Sequence, residues 1–138
     1  MKRGGLINSV LLGEIGLLGH GDVFVVADAG LPIPRDVVRV DLAIKPGLPS
    51  LLDVVDAILS EGVVVERVVL AEEIRSKSPG IHAKILSLLE SKGIDLGVVV
   101  YVPHEEFKKN YVNKAKFVVR TGEYTPYSNV AFVSGVPF

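Results

Sequence analysis

The sequence predicts an α/β fold: a single domain over residues 1–138, built as three layers with helices on both faces of a mixed, mostly parallel sheet. Short apolar runs rich in β-branched residues recur along the chain, among them Val23–Ala27 and Gly97–Val102. Amphipathic stretches with helical spacing lie between them, opened by Asn, Ser or Pro and closed by Gly. With 138 residues, 49% hydrophobic and 22% charged, the chain can bury roughly two thirds of its unfolded surface in one packed core.

Asn8 or Ser9 caps a first helix running to about Leu18, with Gly19 as the left-handed residue that closes it. Val10, Leu11, Ile15, Leu17 and Leu18 give that helix a broad apolar face. Val23–Ala27 has no polar interruption and predicts a central strand buried on both sides. Val37–Ala43 alternates more and predicts a second strand. Ser50, with Asp53 three residues on, makes a capping-box pattern at the start of a helix that Gly62 ends. Val63–Ala71 predicts a strand with Glu72-Glu73 at its end, and Ser78-Pro79 opens a helix that stops at Gly93. Gly97–Val102 is a strand, and a short helix runs from Pro103 or His104 to Tyr111. Lys116–Arg120 and Val130–Val133 are the last two strands; joined by a loop holding Gly122 and Pro126, they could pair antiparallel. Ligands of such sheets sit beyond the carboxyl ends of strands, where Asp28 and His104 fall.

Composition narrows the function. The 15 basic and 16 acidic residues are spread along the chain, with a net charge of −1 and no basic block. That argues against nucleic acid or another polyanion as partner. Cysteine is absent, which excludes disulfides, thiolate nucleophiles and Cys-based zinc sites and suits a reducing compartment. The basic start Met1–Gly5 leads into no long apolar region, since Asn8, Ser9, Glu14 and glycines interrupt it. Neither a signal peptide nor a membrane span is expected, and the expected location is the cytoplasm. No P-loop, Gly-x-Gly-x-x-Gly, Gly-x-Ser-x-Gly or His-Glu-x-x-His occurs, and the three histidines have no ligand spacing, so neither cofactor nor metal is expected.

The residues that suggest chemistry lie in two short stretches and one loop. His20 sits between Gly19 and Gly21, just past a helix end, where its ring either caps the helix or exchanges protons near neutral pH. Asp28 ends a buried strand ahead of Ala29-Gly30-Leu31-Pro32-Ile33-Pro34. It is either a turn residue bonding loop amides or, the preferred reading, an acceptor for a His or a ligand hydroxyl. His104 opens a short helix, whereas His82 reads as a helix-flank residue. Tyr124-Thr125-Pro126-Tyr127-Ser128-Asn129 is the densest run of hydroxyls and amides. It is a polar hairpin loop or a sugar site, with aromatic faces for C–H surfaces and amides for hydroxyls.

Read end to end, these motifs resemble the D-ribose pyranase and L-fucose mutarotase family. The resemblance covers Leu18-Gly19-His20-Gly21-Asp22, Asp28–Pro34, Arg39–Ala43, Ala71-Glu72-Glu73-Ile74, His104–Lys108, Arg120-Thr121-Gly122-Glu123, Pro126–Asn129 and Gly135–Phe138. The Asp28–Pro34 loop is more similar to the ribose branch than to the fucose branch. One departure is Tyr124, where the family often carries a small or thiol residue.

The resemblance implies cofactor-free interconversion of pyranose and furanose forms of free D-ribose, in ribose catabolism. It implies His20 as the proton donor and acceptor, orientation of the imidazole or the sugar by Asp28, and sugar contacts from Asp28, His104, Lys108, Tyr127, Ser128 and Asn129. It also implies a ring-shaped homo-oligomer, a decamer among the assemblies it allows, with sites at subunit contacts. A mutarotase for fucose or another monosaccharide, or a non-catalytic sugar-binding module, would use the same pocket.

Overall fold

The computed structural model describes residues 1–138. In chain order the strands are β1 Val23–Ala27, β2 Val38–Asp41, β3 Val65–Ala71, β4 Val99–Val102, β5 Phe117–Arg120 and β6 Val130–Ser134. The helices are α1 Ser9–Gly16, α2 Leu51–Leu59, α3 Ile74–Lys77, α4 Pro79–Ser91 and α5 His104–Asn110. The strands form one six-stranded sheet in the order β2-β5-β1-β6-β3-β4. The pairs β2–β5, β1–β5 and β3–β4 are parallel. β6 runs antiparallel to both β1 and β3 and is the strand that joins the two parallel groups.

Alternation along the strands sends side chains to two cores. Phe24, Val26, Val68, Leu70, Phe117, Val119, Val130 and Phe132 pack with Leu11 of α1, with α2, with Ile74 of α3 and with Ile85 and Leu89 of α4. Val25, Ala27, Val69, Val118 and Ala131 face the other way, onto Leu31, Ile33, Val37, Phe107 of α5 and Val112. The result is the expected three-layer arrangement. In the larger core, Phe24 stacks between its cross-strand partners Phe117 and Phe132, with ring centroids 5.3 and 5.0 Å away. Asn8 and Ser50 cap α1 and α2 as expected, accepting from the Leu11 and Asp53 amides at 2.9 and 3.1 Å.

Three expectations are corrected. β5 and β6 do not pair with each other, because β1 lies between them. β1 is apolar on both faces and takes a partner on each edge, and the loop 121–129 is long enough to cross its carboxyl end. That crossing is tied down where the Thr121 N–H donates to the Ala27 carbonyl (3.0 Å) and the Ala29 N–H to the Glu123 carbonyl (2.8 Å). The first helix stops at Gly16, and the left-handed residue after it is Gly21 (φ 81°), not Gly19. The Gly19 N–H is instead taken by the Asp22 carboxylate at 2.8 Å. Residues Leu96–Val98 form a 3-10 turn that Asp95 caps, so the strand expected from Gly97 begins at Val99. No helix is long and apolar enough to cross a membrane.

Candidate active site

A cavity of about 490 Å³ opens at the carboxyl ends of β1 and β5, within the usual range for small-ligand sites. Its wall includes Asp28, His104, Arg120, Glu123, Tyr127 and Asn129. Asp28 is the first residue beyond β1, so a strand buried on both faces fixes its backbone. Its Oδ1 accepts from the Gly30 N–H at 3.0 Å, as the turn reading of this residue expected. Its Oδ2 accepts from Asn129 Nδ2–H at 3.1 Å, while Asn129 Oδ1 takes the Asp28 N–H at 2.8 Å. The two side chains thus lock each other across the cavity floor. Burial pushes the Asp28 carboxyl above its ordinary value of 3.8, against the pull of the Gly30 amide, the Asn129 amide, the Leu31 amide and the His104 charge.

His104 begins α5, and its N–H donates to both oxygens of the Glu73 carboxylate at 3.1 and 3.0 Å. Nδ1 of its ring is buried with no protein partner, which leaves Nε2 as the nitrogen that can reach a ligand. The ring meets Tyr127 edge-on, with centroids 5.1 Å apart at 88°. Tyr127 has φ 59°, a left-handed conformation that an aromatic residue adopts at a cost of about 1–2 kcal/mol. That turn carries the chain from the Tyr127 wall to the Asn129 floor, and the Asn129 N–H bonds the Tyr127 carbonyl across it at 3.0 Å.

Arg120, at the end of β5, holds the Asp28 loop: Nε–H donates to the Ala29 carbonyl at 3.1 Å, and Nη1 reaches both oxygens of Asp41 at 3.2 Å. Glu123 accepts from the Leu51 N–H at the start of α2 (3.1 Å) and from the Thr125 hydroxyl (2.8 Å). Between them Gly122 has no room for a side chain, since a Cβ would lie 2.5 Å from the Leu48 carbonyl oxygen and 2.6 Å from that of Lys45. Gly122→Ala is therefore expected to lower stability by about 1–3 kcal/mol and to displace Glu123 from the cavity wall. Thermal unfolding, with ligand affinity measured beside it, checks both effects.

The remaining candidates lie outside this wall. Ser128 is fully buried, its hydroxyl turned inward to the Pro126 carbonyl at a long 3.5 Å. Lys108 pairs with Glu105 at 2.8 Å and lines a second cavity with Pro34 and Asn113, which meets the first at Pro32. His82 is more than a flank residue: its Nε2 lies 2.6 Å from the Tyr101 hydroxyl, while the Arg75 guanidinium sits 3.4 Å over the Tyr101 ring. Burial and the Arg75 charge hold the His82 pKa below its ordinary value.

His20 stands at the opposite end of the sheet. The neighbouring Gly21 N–H donates to the Ser134 carbonyl, and the Ser134 N–H to that of Asp22, both at 2.8 Å. This places His20 at the amino end of β1, separated from Asp28 by the whole strand, on the order of 17 Å at about 3.3 Å per residue. Asp28 therefore does not orient this imidazole within one chain. Glu66 meets it instead, accepting from His20 Nε2–H at 3.0 Å. Arg120, Glu123 and Glu73 stood in motifs noted from sequence but were given no role at the site, and Glu66 was not noted at all. Their shared signal is a charged residue in or beside an apolar strand.

The sequence profile of the RbsD / FucU transport protein family matches residues 1–137. D-ribose pyranase of Maridesulfovibrio salexigens is 48% identical, and that of Geobacillus thermodenitrificans 44%, over 100% of this chain and 100% and 99% of theirs. Among solved structures, Bacillus subtilis RbsD complexed with D-ribose superposes with a TM-score of 0.88 at 40% identity, covering 100% of both chains. The fucose mutarotase of Streptococcus pneumoniae in complex with L-fucose gives 0.80 at 26% identity, covering 96% of this chain and 95% of that one.

Proposed function

Because the chain belongs to the RbsD / FucU family, we propose that it is a D-ribose pyranase that interconverts the pyranose and furanose forms of the free sugar without a cofactor. The observation that carries this reading is the cavity floor, where the Asp28–Asn129 pair presents hydroxyl partners beside the Tyr127–His104 aromatic corner. A sugar ring, with hydroxyls around its rim and C–H bonds on its faces, needs both surfaces. Similarity to RbsD complexed with D-ribose supports the choice of sugar over the fucose alternative.

In the reaction, a base takes the proton of the anomeric hydroxyl and an acid protonates the ring oxygen as its bond to C1 breaks. The open-chain aldehyde results. The hydroxyl on C4, in place of that on C5, then adds to C1, loses its proton and closes the five-membered ring while the carbonyl oxygen is protonated. One imidazole serves both directions, because each step returns what the other takes. His20 fills that role, Asp28, His104, Tyr127 and Asn129 hold the sugar, Lys108 approaches it from the adjoining cavity, and Ser128 contributes through its backbone.

His20 and the cavity lie at opposite ends of β1, so this reading requires two subunits: His20 of one copy completes the cavity of the next. Copies that each pass His20 to the cavity of the next make a head-to-tail contact, which generates a ring where the rotation between copies closes. A ring-shaped homo-oligomer in the cytoplasm follows as part of the proposal.

NMR saturation transfer between D-ribose ring forms tests the function: exchange faster than in buffer supports it, and exchange at the buffer rate with ribose bound leaves a binding module. The Asp28 carboxyl adds a pH signature. It is ionised above its raised midpoint and protonated below it, so ribose affinity is expected to fall as pH drops through a midpoint above 3.8. Asp28→Asn should remove that dependence in a binding titration. The raised value also means that the folded chain holds this proton more tightly than the unfolded one. The stability it contributes is full below 3.8 and is lost as pH rises through the raised midpoint.

A further inference from the structure

We propose that Glu66 is a positioning residue that fixes the His20 ring with its proton on Nε2 and turns Nδ1 toward the sugar. The inference rests on His20 being the acid and base of the reaction. Its first support is the contact itself, in which Nε2 of His20 lies 3.0 Å from Oε2 of Glu66. An ionised carboxylate only accepts, so the hydrogen of this bond belongs to Nε2 and the lone pair is left on Nδ1.

The second support is the backbone that delivers Glu66. Pairing of β3 with β6 is regular from Arg67↔Val133 to Leu70↔Val130, then slips, so that Val65 faces Ser134 and Glu66 is the extra residue of a β-bulge. The slip leaves Val65 and Val68 against the same core although they are an odd number of residues apart. Without it, Glu66 would share the core-facing side of β3 with Val68 and Leu70. The bulge turns its carboxylate out to His20, a use of bulges that recurs beside active sites. The facing residue leaves room for the bulge: a Cβ on Gly135 would stand 3.2 Å from Val64 Cγ1 and 3.4 Å from Glu66 Cβ. His20 is tied to the same place by the Gly21 N–H to Ser134 carbonyl bond, so both partners share one anchor at the end of β6.

In the reaction, Nδ1 takes the proton of the reacting hydroxyl and later returns it, while the Nε2–H···Glu66 bond keeps the ring from rotating. Glu66 touches no reacting atom. The test measures ribose exchange and imidazole 15N NMR on the protein as it assembles in solution, for wild type, Glu66→Gln, Glu66→Ala and His20→Ala. Both Glu66 variants are expected to lower kcat by about tenfold or more with KM within about twofold. The wild-type His20 ring should show one tautomer, protonated on Nε2. Glu66→Gln should add the Nδ1–H form, because its amide can donate to Nε2. Wild-type kcat in both Glu66 variants, with His20→Ala inactive, overturns the role of Glu66 and leaves His20 standing. A wild-type ring protonated on Nδ1 overturns the assignment of nitrogens. Full activity in His20→Ala overturns the reading of His20 on which the proposal rests.

Discussion

His20→Ala is expected to return ribose ring exchange to its rate in buffer, a loss of at least about a hundredfold, with the sheet and the cavity intact. The His20 side chain is 62% exposed and belongs to neither core cluster. Its one side-chain bond is to Glu66, itself 43% exposed in its side chain. Removing such a contact changes stability by only about 0.5 kcal/mol. Asp28, Asn129, His104 and Tyr127 keep every bond they make to one another, so ribose binding should persist. Lost exchange beside retained binding separates chemistry from recognition, and NMR exchange with a binding titration on the same sample measures both. Exchange at the wild-type rate would remove His20 from the mechanism.

Mixing two inactive variants should restore activity. His20→Ala lacks the proton carrier but keeps the cavity, whereas Asp28→Ala keeps His20 and leaves the Gly30 and Asn129 donors without their acceptor. If each site takes His20 from one copy and Asp28 from the next, random reassembly of equal amounts gives about a quarter of the sites both native halves. Activity near that fraction after dissociation and reassembly supports the split site. No recovery in verified mixed oligomers would place both residues in one chain's site, against the strand-length separation described here. A double variant carrying both changes, mixed with an inactive partner of either kind, should stay silent.

The fold was legible where pattern and partner agree. Val23–Ala27 reads as a central strand because nothing polar interrupts it, and it lies between β5 and β6. Strand order was less legible: pairing of the last two strands looked local, yet the loop 121–129 crosses β1, and only the depth of burial of β1 on both edges explains the detour. Asp28 and Asn129 were singled out separately, but their mutual lock spans 101 residues of sequence, a separation that no local pattern encodes. The same holds for His20 and Glu66, 46 residues apart. The fate of the Ser128 hydroxyl was not legible either: the polar loop gives no sign that this side chain is fully buried, with its hydroxyl turned toward the Pro126 carbonyl beside the left-handed residue Tyr127.

The placement of β6 has a consequence for biosynthesis. A chain made from its amino end releases β1 to β5 before β6 exists, and β6 is the strand that bridges β1 to β3. Until then the nascent chain carries two half-sheets, β2-β5-β1 and β3-β4, whose inner edges β1 and β3 are bare and invite pairing with another chain. The edge of β1 is Val-Phe-Val-Val-Ala, uninterrupted by any charge. The ligand floor, held by Asn129, and the anchor of the His20 loop, held by Ser134, flank that same last strand at its two ends. Catalytic competence therefore arrives in one step, late, and a ribosome stalled before Val130 would display an aggregation-prone intermediate with neither half of the site in place.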